Sequence, residues 1–279
     1  DVPDSFIRGY RIATTEPMAP VYINYDADIQ EESISTPVEL PDVSRYGPPA
    51  PVQANQAELK RAAELLVNAQ MPLIIADSLG RNPQSVPALV ELAELLSIPV
   101  IDKGARFNFP TTHPLDVTDG AKDILPKADV ILALDVADLY GSLTTVSKQT
   151  RDCVYVTSPS VKIITISMHD MLVRSWAGDY QALQPTDIPL AADTSVAVPE
   201  LTRLCRDLLG NDPKTKSAME ARRKELAEKS KSRRAKWLAD AQAKASLQNI
   251  STAFLAYDLG EVIKREDWVL VNGTSNGWV

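Results

Sequence analysis

The chain has 279 residues, 44% of them hydrophobic and 24% charged, with a formal net charge of −8. That length holds one large domain, or a medium one with appendages, and enough core to fold. The negative balance argues against nucleic acid or an anionic membrane as the main partner. Cys153 and Cys205 lie far apart and in no CxxC pair, which suggests a reducing compartment or no disulfide role. No apolar run reaches membrane-span length and no secretory leader opens the chain, so the expected location is cytoplasmic.

Arg8 to Ala13 reads as a short helix and Pro20 to Asn24 as a strand, with Val21 and Ile23 alternating with more polar neighbours. Pro37, Pro41, Pro48, Pro49 and Pro51 then punctuate a stretch without periodicity, expected to be an extended linker. Asn55 to Glu58 resembles a capping box, with Leu59, Ala62, Ala63, Leu66 and Ala69 on one helical stripe behind it. Pro72 to Ala76 is a continuous apolar run, the mark of a strand buried on both faces. A helix is expected over Pro87 to Leu96, a strand at Pro99 to Ile101, a helix around Lys122 to Lys127, and a strand at Val130 to Leu134. Lys162 to Ile166 repeats the strand pattern, and Ile188 to Leu190 is a weaker instance. Apolar strands alternating with amphipathic helices predict an α/β fold: a doubly wound, Rossmann-like parallel sheet with helices on both faces.

From Lys214 to Lys244 there are eleven Lys and Arg against four Asp and Glu. Such a helix can grip nucleic acid or be a solvated helix with one apolar stripe. The second reading is preferred here, with Trp237 and Leu238 docking the helix. Ile250 to Ile263 is a further amphipathic helix, with Phe254, Leu255, Leu259 and Val262 as its buried face, and Val269 to Val271 is a final strand.

Neither GxGxxG nor a Walker loop occurs. After the first core strand stands Asp77-Ser78-Leu79-Gly80-Arg81, at the edge where parallel sheets place ligands. Ser78 can donate to a phosphate, Gly80 lets backbone come close, and Arg81 can pair with an anion. The alternative is a plain βα turn. Asp135 ends its strand at the same edge and can accept from a ribose hydroxyl or cap the next turn. His113 and His169 are in no zinc-like spacing, so no metal site is expected within the chain, and His113 reads as a hydrogen-bonded loop residue. Gly273-Thr274-Ser275-Asn276-Gly277 formally matches GxSxG, but no acid or His follows it, so a serine hydrolase is not expected. What remains is a loop whose N–H and O–H groups can converge on a phosphate oxygen, or an ordinary turn.

The order of elements resembles the thiamine-diphosphate-dependent enzymes of the acetolactate synthase and 2-oxo acid decarboxylase type. Arg8 to Ala13 with Ala19-Pro20-Val21-Tyr22-Ile23 is similar to the end of that family's pyrimidine-binding domain, where a GPV signature precedes the last strand. Leu65 to Ile75 and Leu92 to Val100 look like the first two βα units of the central domain. Phe109-Pro110, His113-Pro114-Leu115, Ala128 to Leu134, Ile163 to Ile166 and Ala192-Asp193 continue the pattern. Ala19 replaces the Gly of GPV, Asp77 and Asp135 stand where the family often has Gly, and Ser167 replaces a common Asp. The last three alter the nucleotide cleft, so the FAD or ADP of some relatives does not follow automatically.

The resemblance implies five stretches: 1–35 as the end of a pyrimidine-binding domain, 36–54 as linker, 55–210 as the central nucleotide-fold domain, 211–248 as a basic linker helix, and 249–279 as the start of a diphosphate-binding domain. The chain, which begins at Asp1, is accordingly expected to be a segment of a larger enzyme. In the family, a loop like Gly273, Thr274, Ser275 and Asn276 touches the cofactor diphosphate, and Trp278 fits the related synthase spacing. The family's catalytic Glu and its Mg²⁺-holding GDG…N motif have no counterpart here, so no catalytic residue is assigned. Thiamine diphosphate and Mg²⁺ are expected for the parent, a homodimer or homotetramer that decarboxylates or ligates 2-oxo acids, with this segment an inactive scaffold. The alternatives are a free-standing regulatory module binding ADP, FAD or NAD, and an FAD- or NAD-linked oxidoreductase; the absent glycine fingerprint counts against the latter.

Overall fold

The computed structural model of the protein describes residues 2–168, 182–210 and 213–268, without the side chain of Lys214. The N-terminal stretch forms helix α1 (Val2–Thr14), a single turn α2 (Ala27–Glu31), a 3-10 turn at Val43–Arg45, and otherwise irregular chain up to Asn55. Residues 20–24, expected as a strand, are not one: alternation alone cannot hold a strand that has no neighbour to bond. Asn55 then starts α3 (Gln56–Asn68), its Oδ1 accepting from the N–H groups of Ala57 and Glu58. Glu58 turns outward to Arg61 rather than back to the cap.

Strands β1 (Pro72–Ala76), β2 (Val100–Asp102), β3 (Val130–Leu134), β6 (Lys162–Ile166) and β7 (Ile188–Leu190) form one parallel sheet in the order β2-β1-β3-β6-β7. Every residue of β1 and β3 is buried, as expected for strands covered on both faces. Residues 115–117 add a bridged segment beside β2, with Val100 N–H donating to Leu115 and Val117 N–H to Val100. In β7 the middle residue, Pro189, is exposed between buried Ile188 and Leu190. The sheet grows from β1 to β2 on one side and then from β1 to β3 on the other. The fold is therefore the doubly wound α/β class, with its topological switch point between β1 and β3.

Around the sheet, α7 (Thr194–Leu209) packs against both α3 and α4 (Ser85–Leu96). Helix α5 (Ala121–Ile124) runs into a short 3-10 turn at Leu125–Lys127. Helix α6 (Leu139–Leu143) leads into a two-stranded hairpin, β4 (Thr144–Val146) with β5 (Cys153–Tyr155). Neither α7 nor the hairpin was expected from the sequence. Pro199 interrupts the helical pattern of α7, and the hairpin strands have three residues each, with β5 wholly exposed.

The long helix α8 (Pro213–Ala243) lies against the domain through Met219, Arg222, Leu226, Ser230 and Arg233. Trp237 and Leu238 are not its docking residues. They line a cleft towards α9 (Thr252–Ile263), with Trp237 also under the Arg233 guanidinium at 5.4 Å. The expected buried face of α9 is open, with Leu255, Leu259 and Val262 all exposed. Val269–Val271 lies outside the described residues.

Candidate functional site at the sheet switch point

Parallel strands deliver their following residues to one edge of the sheet. Here the residues after β1, Asp77 to Arg81, meet Asp135, the residue after β3. Ser78 N–H donates to the Asp135 carbonyl at 3.3 Å, and Asp135 N–H donates to Ile166 at 3.0 Å. Four candidates named from the sequence, Ser78, Gly80, Arg81 and Asp135, are thus brought to the β1/β3 crevice, and each has a partner inside the protein.

Arg81 is the hub. Its Nε donates to Glu16 Oε2 at 2.9 Å, Nη1 to Asp135 Oδ2, and Nη2 to Asp193 Oδ1 at 3.4 Å. Nη1 also reaches the Ser78 carbonyl at 3.3 Å. Burial pulls the guanidinium pKa down, but the Asp135 and Glu16 carboxylates outweigh it and hold the group above its ordinary value. Asp135 is completely buried and sits at φ 50°, the left-handed region where Gly, Asn and Asp are best tolerated. The same Oδ2 accepts from Thr194 Oγ1 at 2.5 Å, while Oδ1 has no partner among the described residues. Asp193 caps α7 by accepting from Ser195 N–H at 2.8 Å.

A second knot closes the crevice from the β2 side. Asn108 is fully buried; its Oδ1 accepts from Gly80 N–H at 2.9 Å, and its Nδ2 is shared by the Asp77 carbonyl at 2.7 Å and Asp102 Oδ1 at 2.6 Å. Asp102 Oδ2 takes the N–H groups of Asn108 and Phe109. Asp77 Oδ2 accepts from Ala137 N–H at 3.2 Å, tying the loops after β1 and β3 together. Gly80 does admit a close backbone, and that backbone is the Phe107 carbonyl of the same chain; a Cβ at Gly80 would lie 2.7 Å from its carbon.

Sequence reasoning named the loop residues but missed Glu16, Asn108, Asp193 and Thr194. The partners of Arg81 lie up to 113 positions away, and no local pattern announces them. The Asp193-Thr194-Ser195 run did carry a signal, since Asp before a helix is a capping residue. His113 rests edge-on against Phe109 and 3.3 Å from Glu94, as a satisfied loop residue. His169 and the loop Gly273, Thr274, Ser275 and Asn276 lie outside the described residues. Among the described residues no cluster of His, Cys, Asp and Glu is arranged to hold a metal, and no helix is long and apolar enough to cross a membrane.

Comparison with known proteins places this geometry. Residues 59–173 match the family model described as thiamine pyrophosphate enzyme, central domain. The chain is 28% identical over 154 residues to a Methanocaldococcus jannaschii protein named "Probable acetolactate synthase large subunit", covering 48% of this chain and 24% of that one. It is 34% identical over 125 residues to the sulfoacetaldehyde acetyltransferase of Roseovarius nubinhibens, covering 42% of this chain and 20% of that one. The fold is shared with a solved structure, the benzoylformate decarboxylase of Polynucleobacter necessarius, at a TM-score of 0.55 and 19% identity over 73% of this chain and 36% of the other. The chain thus spans about a quarter or less of the length of these two curated relatives. Residues 59–173, which carry the β1 and β3 sides of the switch-point crevice, are similar to the central domain of thiamine pyrophosphate enzymes.

Proposed function

We propose that this chain is the central scaffold of a thiamine-diphosphate-dependent decarboxylase or carboligase of acetolactate-synthase type, acting on 2-oxo acids in the cytoplasm. The observation that carries this reading is the central-domain match itself, over a domain whose crevice is filled by its own ion pairs. An acetolactate synthase and an acetyltransferase among the relatives support the lyase or transferase class. In this reading the central domain holds two cofactor-binding domains at a fixed separation, and Gly273, Thr274, Ser275 and Asn276 contribute to the diphosphate site beside Mg²⁺. The cofactor supplies the electron sink, and the protein supplies position. Pairing of the flanking domains across subunits makes the parent a homodimer or homotetramer.

The scaffold reading expects residues 1–279 to be silent on their own. Supplied with thiamine diphosphate, Mg²⁺ and pyruvate, they release no carbon dioxide and form no acetolactate above the protein-free rate. Measurable turnover ends the scaffold reading. Coding sequence flanking this chain that lacks both a Glu-bearing pyrimidine domain and a GDG…N motif ends the class assignment.

A further inference from the structure

We infer that the β1/β3 crevice takes no nucleotide diphosphate, and that its anion position is filled from within by the Glu16 carboxylate, so that Arg81 fastens the segment after α1 to the central sheet. FAD or ADP would need free donors, room for backbone approach and an electrostatically welcoming edge. The crevice is short of all three.

Arg81, the Thr194 hydroxyl and four N–H groups of these loops are already engaged. Arg81 is shared by Glu16, Asp135 and Asp193; Thr194 Oγ1 is given to Asp135; and Ser195 N–H, at the start of α7, is given to Asp193. The N–H groups of Ser78, Gly80 and Ala137 go to Asp135, Asn108 and Asp77. A diphosphate would have to break these bonds and leave buried carboxylates unpaired, which is costly. The room is taken as well, because the Phe107 carbonyl already occupies the space that Gly80 leaves open. The charge is wrong: one guanidinium faces Glu16, Asp135 and Asp193, with Asp77 adjacent, so an incoming polyanion meets net negative charge. Asp135 is fully buried and unable to reach a ribose.

What the crevice does bind is its own chain. Glu16 and Arg81 are 65 positions apart and both only 17% exposed in their side chains. The contact spans the stretch between α1 and α3, so it closes a long loop whose far end is tied in by buried Ala54 and by the Val52 carbonyl, which accepts from Asp193 N–H. This inference does not depend on the thiamine reading.

Two measurements test it on the chain as it stands. ADP, FAD and inorganic diphosphate are titrated in turn by calorimetry, and none gives saturable heat up to about 1 mM. Saturable binding of any of them at lower concentration overturns the inference. The second is limited proteolysis between residues 18 and 54 in the unsubstituted chain, Glu16→Gln, Arg81→Lys and the double variant. Cleavage tracks the population of the opened segment, and losing a charge-assisted bond of this kind raises it about tenfold. Each single variant is expected to be nicked about that much faster, and the double variant no faster than the worse single one, since the two groups act through one contact. Unchanged nicking, or effects that multiply in the double variant, overturns the latch. Arg81→Lys keeps the charge, so the fold is retained, while one ammonium cannot serve three directions.

Discussion

Gly80 and Asp135 are the two positions where the crevice depends on backbone as much as on side chain. Replacing Gly80 with Ala sets a methyl group against the Phe107 carbonyl, and a backbone group cannot rotate away as a side-chain end can. We expect Gly80→Ala to cost roughly 2–4 kcal/mol in urea unfolding, as overpacking at a rigid site does. Asp135 sits in the left-handed conformation with one carboxylate oxygen, Oδ2, held by both Arg81 and Thr194. The sequence made these residues visible only as a loop after a strand. Whether Arg81 would meet a ligand or a carboxylate of its own chain was not legible, because the answer sits at Glu16 and Asp193 on other elements.

At the scale of elements, the strands were the most legible part. Pro72–Ala76, Val130–Leu134 and Lys162–Ile166 appear with the expected bounds, since a run buried on both faces has no polar alternation to blur its ends. The docking of α8 was not legible, because its contact stripe is not apolar throughout. Arg222 stands between Met219 and Leu226 and donates to three carbonyls: Ser97 at 2.8 Å, Gln70 at 2.8 Å and Leu96 at 2.6 Å. These oxygens lie at or just past the C-terminal ends of α3 and α4, where helices leave carbonyls without intrahelical partners and where a cation is favoured. Burial lowers the Arg222 pKa, partly offset by Asp129, so the group is desolvated for this contact. The excess positive charge that looked like a nucleic-acid signal is thus partly an internal clamp. Arg222→Ala is expected to lose about 2–4 kcal/mol of stability. Hydrogen exchange should speed up in α8 and leave β1 and β3 protected; equal loosening of the central strands would contradict the clamp.

At the scale of the whole molecule, the two cysteines report on different things. Cys153 is exposed on the hairpin, whereas Cys205 is buried in α7, where desolvation pushes its thiol up to about 12 from an ordinary 9.0. Labelling with a thiol reagent should therefore show one fast and one slow site, the slow one accelerating with urea as the domain opens. The sign of the pH effect follows from the raised value. Stability from this group is complete below about pH 9 and is lost as pH climbs towards 12, because the unfolded thiol ionises first. Cys205→Ala should flatten that part of the alkaline decline; an unchanged slope assigns it to other groups. The central domain and the chain around it also differ in kind. The sheet and α3, α4 and α7 form a packed core, while α1 and α9 keep large apolar side chains such as Phe6, Tyr10, Leu255 and Val262 exposed.

Pro189 has a consequence for how copies of the protein meet. Leu190 accepts from Ser167 across β6, so its neighbour Pro189 turns its ring nitrogen to the outer flank of β7, the last strand of the sheet among the described residues. An arriving strand would find no donor midway along a three-residue rim. Edge-to-edge stacking into ribbons or fibrils is blunted on that flank, so assembly there has to use side-chain surfaces instead.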